Sequence, residues 1–122
     1  MSFAPLLREI VEGCGAGIAA ALMGNDGIAI EEVCVVSAGP LADGVEIAGT
    51  EFGRILEEIR KASDAIGGGS VGETTVILSQ VILIFRTVDD ETFLVLALHP
   101  DGNLGKARYL IRKQLPALRS LL

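Results

Sequence analysis

The stretch Leu94–Lys113, LVLALHPDGNLGKARYLIRK, constrains the fold more than any other. Phe93–Leu98 is an apolar run of six, which suits a strand covered on both faces and so placed inside a sheet. Asp101-Gly102 signals a turn, and Asn103 is a good helix N-cap because its side-chain oxygen can accept an orphan amide of the first turn. Beyond it, Leu104, Ala107, Ile111, Leu115 and Leu118 share one helical face. Pro116 has no amide donor and is expected to kink or break this helix near Arg112–Leu115. The stretch offers a fold and a surface, with no nucleophile, metal ligand set or phosphate loop.

Upstream, Pro5 fits the first turn of a helix lined by Leu6, Leu7, Ile10 and Val11, ending near Gly13–Gly15. Ala16–Met23 is Ala-rich enough for a helix. Its length and the following Gly24-Asn25-Asp26-Gly27 favour a strand entering a hairpin, with Ile28–Val36 returning. Ser37–Gly44 reads as a loop. Val45–Ile66 has helical period, with Ala48, Phe52, Ile55, Leu56, Ile59, Ala62 and Ile66 at spacings of three and four, and Gly67-Gly68-Gly69 stops it. Val71–Leu78, Val81–Val88 and Thr92–His99 are strands with tight connections. The expected architecture is α+β: one domain over residues 1–122, ordered α-β-β-α-β-β-β-α, with a five-stranded antiparallel sheet flanked by helices.

Half of the residues are hydrophobic, yet there is no Trp, one Tyr and four Phe. The core must be aliphatic, and such an apolar surplus in a small domain points to burial against a second subunit. A net charge of −6 argues against nucleic-acid binding. The charge is uneven: Asp101–Leu122 carries +4, leaving −10 on the other hundred residues. Lys106, Arg108, Arg112 and Lys113 are either a solvated helix face or a docking patch for an acidic partner. Glu9 and Glu12 stand where a signal peptide needs apolar residues, and no apolar run approaches the roughly 18 residues of a membrane span. A cytoplasmic protein without membrane insertion is expected. Cys14 and Cys34 are expected to be buried small hydrophobes.

Little points to catalysis. Gly67–Thr74 has the glycine spacing of a phosphate loop, but Glu73 stands where the lysine belongs and a strand follows. His99 is the only histidine, which leaves no recognisable zinc site. Asp89, Asp90 and Glu91 share a tight turn and read as a solvated loop. No catalytic residue, metal or cofactor is expected.

The element order, the hairpin Met23-Gly24-Asn25-Asp26-Gly27 and the end LVLALHPDGNLGKARYLIRK together resemble the roadblock (dynein light-chain) family. Among bacterial members the chain is most similar to the small Mgl-type regulators of a Ras-like motility GTPase. The resemblance implies a homodimer in which the middle helix pairs with its mate and an edge strand can join the two sheets. On this chain the implied interface comprises Phe52, Ile55, Leu56, Ile59, Thr74 and Val76. It implies partners among small GTPases and other roadblock proteins, and recruitment to cell poles. The role taken here is a non-catalytic adaptor that binds a roadblock-type GTPase activator and related polarity proteins; direct activation of the GTPase is the alternative. At the hairpin, Asn25, Asp26 and Ile28 are the candidate partner contacts. There Ile28 either projects as a small anchor or packs on the first or last helix.

Overall fold

The computed structural model describes residues 2–36 and 38–122. Eight elements follow in order: α1 (Ala4–Gly13), β1 (Gly17–Gly24), β2 (Ala29–Cys34), α2 (Glu46–Ile66), β3 (Glu73–Ile77), β4 (Ile82–Thr87), β5 (Thr92–Leu98) and α3 (Leu104–Leu121). This is the expected α-β-β-α-β-β-β-α order. All strand pairings are antiparallel, in the order β2-β1-β5-β4-β3. The apolar run of β5 takes the centre, and every one of its residues is buried.

Two hydrophobic layers sandwich the sheet. On one face α1 and α3 pack over Ala20, Leu22, Ile84, Leu94 and Leu96 through Leu7, Ile10, Ala107, Ile111 and Leu118. On the other, α2 lies over Ala19, Ala21, Met23, Leu83, Phe85 and Val95. A Cβ at Gly49 would lie 2.8 Å from Met23 Cε, so the missing side chain of Gly49 lets α2 approach β1 closely.

The helix ends follow the signals in the chain, with one exception. Asn103 Oδ1 accepts the Lys106 amide at 3.0 Å, as expected of an N-cap. Gly67 closes α2 in the left-handed region, φ 67°, and its amide bonds back to Asp64. The exception is the start of α2, where Val45 has no capping side chain. Glu32 of β2 supplies the cap instead, its carboxylate accepting the Glu46 amide at 3.1 Å.

Three expectations need correction. Pro116 does not break α3, which runs as one α-helix from Leu104 to Leu121. Pro116 lies on its exposed side while Leu115 and Leu118 are buried. Burying two leucines is worth about 3–6 kcal/mol, enough to offset the roughly 3 kcal/mol of an interior proline. The return strand is Ala29–Cys34, shorter than Ile28–Val36, and the register slips between Leu22 and Met23, which makes Ile30 an extra, bulged residue. Cys34 is exposed on this edge strand, whereas Cys14 is buried as expected; both are free thiols. Ser37, in the expected loop, lies outside the described residues.

Candidate interaction surfaces

The first surface is the uncovered side of α2 with the neighbouring edge strand. Of the 21 residues of α2 only Ala48, Gly49 and Leu56 are buried. Ile55 is 52% exposed, while Phe52 and Ile59 are half-buried. Thr74 and Val76 of β3 pair in register with Phe85 and Leu83, so they share the α2 face of the sheet. The six candidate interface residues thus belong to one side of the molecule. Leu56 is different from the rest: at 5% exposure it is already spent inside its own chain, so it supports the face from beneath. Phe52 stacks in a tilted pair on Phe85, ring centroids 5.5 Å apart, and Phe85 in turn meets Phe93 at 6.2 Å. Gly53, in mid-helix, has nothing within 4 Å of the place a Cβ would occupy. Inside this chain its missing side chain serves no packing purpose, and a second backbone could approach it closely.

The second surface is the β1–β2 hairpin. Gly27 adopts φ 87°, a backbone that glycine tolerates best, and its amide closes the turn on Gly24 at 3.0 Å. Asp26 Oδ1 accepts the Ile28 amide at 3.0 Å. Asn25 is committed elsewhere: its backbone amide donates to Glu91 O at 2.8 Å and its Nδ2 to Asp90 O at 2.9 Å. Arg60 of α2 reaches Asn25 Oδ1 at 3.4 Å. Hence Asn25 rivets the hairpin to the β4–β5 turn. The Thr92 hydroxyl and then the Glu91 amide hold the Asp89 carboxyl of that turn below its ordinary pKa. Ile28, 66% exposed, packs on no helix core, and Ile30 projects beside it. A shallow cleft of about 410 Å³ runs between these two isoleucines and Glu91. No local signal in Ile28–Val36 sets Ile30 apart, since a bulge depends on the count of residues on the facing strand.

Over the whole length of both chains, the sequence is 34% identical to MglC from Myxococcus xanthus, whose crystal structure superposes with a TM-score of 0.70. The chain belongs to the roadblock family. Other members share the fold at lower identity. A roadblock/LC7 domain from Streptomyces avermitilis is 19% identical with a TM-score of 0.82, covering 95% of this chain and 93% of its own. The gliding protein MglB of Thermus thermophilus is 18% identical with a TM-score of 0.83, covering 96% and 85%. No family model and no curated protein sequence matches the chain.

As a roadblock protein the chain departs from the expected basic patch in one respect. Lys106 and Arg112 are exposed, but Arg108 lies across Glu73 at 3.0 Å and donates to Thr75 at 3.2 Å. Lys113 reaches Glu9 of α1 at 3.5 Å. Two of the four cations are therefore partly neutralised by carboxylates distant in sequence. Among the described residues no cluster of three His, Cys, Asp or Glu side chains could hold a metal ion, and no helix is long and apolar enough to cross a membrane.

Proposed function

We propose that this roadblock protein is a non-catalytic dimeric adaptor in a bacterial Ras-like GTPase polarity or motility pathway. Its direct partner is a roadblock-type GTPase activator, with related polarity proteins as further partners. It acts in the cytoplasm and is recruited to cell poles. The observation that carries this reading is the 34% identity to MglC over all of both chains. The half-covered α2 face supports it physically, since one 21-residue helix leaves an apolar side open over one layer of the sheet. On this proposal a second copy covers Phe52, Ile55, Ile59, Thr74 and Val76, with Leu56 beneath them. The β1–β2 hairpin then remains free to meet the activator through Ile28 and Asp26.

The test is to mix the purified protein with the Ras-like GTPase of the same genome, with and without its roadblock activator. GTP turnover and complex formation are followed together. The adaptor reading expects a complex with the activator and no stimulation of the GTPase by this protein alone. Faster hydrolysis with this protein alone would make it a direct activator instead.

The hairpin is tested by replacing Asp26 and Ile28 together with alanine. Affinity for the activator is expected to fall about tenfold or more, the cost of losing an exposed apolar anchor, with the dimer intact. Because Asp26 also closes the turn, Ile28→Ala alone should reproduce most of the loss. Unchanged affinity in a pull-down titration sinks the hairpin as the contact.

A further inference from the structure

Neither the α2 face nor the hairpin uses the arginines gathered on the opposite side of the molecule. Helical periodicity puts Arg108, Arg112 and Arg119 on the flank of α3 that borders β3 and β4. Two contacts anchor that row. Arg108 Nε donates to both Glu73 oxygens, at 3.2 and 3.0 Å, and Arg119 Nε donates to Val88 O at 2.8 Å. Arg86 rises from β4 on the same face, since its register partners are Glu73 and Leu94, and Leu94 belongs to the core under α1 and α3. Its Nε is buried without a hydrogen-bond partner. That donor is buried out of a ligand's reach, but the charge of Arg86 adds to the positive field along the row.

The start of α3 makes the same point. Lys106 and Arg108 sit near the positive end of the helix dipole, and the first turn carries no acid to balance them. Lys106 and Arg112 have no ion-pair partner among the described residues that would return the cost. Tyr109, 55% exposed, stands next to the row and adds the kind of aromatic body that anchors interfaces.

We propose that this face binds an acidic, carboxylate-rich segment of a partner protein. Glu73 already displays the chemistry, with a carboxylate seated across Arg108. From Arg108 to Arg119 the row is linear over about 16 Å, the reach of a short peptide segment. A chain of net charge −6 repels extended polyanions such as nucleic acid or an anionic membrane. A short segment lying within about a Debye length of α3 feels the local positive charge instead. The proposal does not depend on the GTPase pathway.

The probe is a fluorescent glutamate-rich peptide of about twelve residues, titrated with the full chain at low salt and read by fluorescence anisotropy. Saturable binding that weakens with added salt is expected. Arg112→Glu reverses an exposed cation without touching the core and should weaken binding about tenfold. Lys61→Glu, on α2, should leave it unchanged, as should the Asp26/Ile28 hairpin variant, which separates this site from the activator contact. No saturable binding by the wild type would overturn the proposal. So would equal binding by Arg112→Glu, or tighter binding to a single-stranded oligonucleotide or to phosphatidylserine vesicles than to the peptide.

Discussion

Ile55→Asp is expected to leave a folded monomer that no longer forms the proposed dimer. In a lone subunit residue 55 is half in water, so a carboxylate there meets solvent and the fold is spared. In the proposed pairing of α2 with its mate, the same carboxylate is buried without a partner. Such a charge costs about 3–5 kcal/mol, more than a hundredfold in association. Sedimentation at micromolar concentration reads the oligomeric state, and circular dichroism checks that helix content is kept. Leu56 would be the wrong residue for this test, because it is buried within its own chain and a charge there would unfold it. A variant at Ile55 that stays folded and dimeric rules out the α2 interface.

Phe85→Ala is the second large effect. Phe85 is 2% exposed and is the middle ring between Phe52 of α2 and Phe93 of β5. Removing it opens a cavity under α2, the helix that covers that face of the sheet. The expected loss is about 3–5 kcal/mol, or roughly 10–20 °C in Tm. The consequence reaches the proposed dimer, since α2 would lose the support beneath Phe52 and Ile55. Chemical denaturation measures the loss. A change below about 1 kcal/mol would mean that the layer collapses around the gap and that the ring does not position α2.

Most of the fold was legible because its signals are local. The unbroken apolar run of β5, the three-and-four spacing of α2 and the caps at Asn103 and Gly67 each read correctly. The break expected at Pro116 does not occur because the burial of Leu115 and Leu118, which propensity does not record, outweighs it. The bulge at Ile30 was invisible because alternation carries no count of residues on the facing strand. The site was legible only in outline. Ile28 and Ile55 are exposed, one projecting from the hairpin and the other on the free side of α2. Leu56, one residue further along α2, turned inward.

The order of the elements, the central place of β5 and the apolar stripe of α2 are written in the chain itself. Burial of a face is written in one-dimensional periodicity, and caps act over three or four residues. Only the tertiary structure decided which polar groups are already spent. Asn25 donates to a carbonyl 65 residues away, and Arg108 meets a carboxylate 35 residues away. A hydrogen bond satisfies whichever group the fold brings within about 3 Å, and no local pattern records that distance.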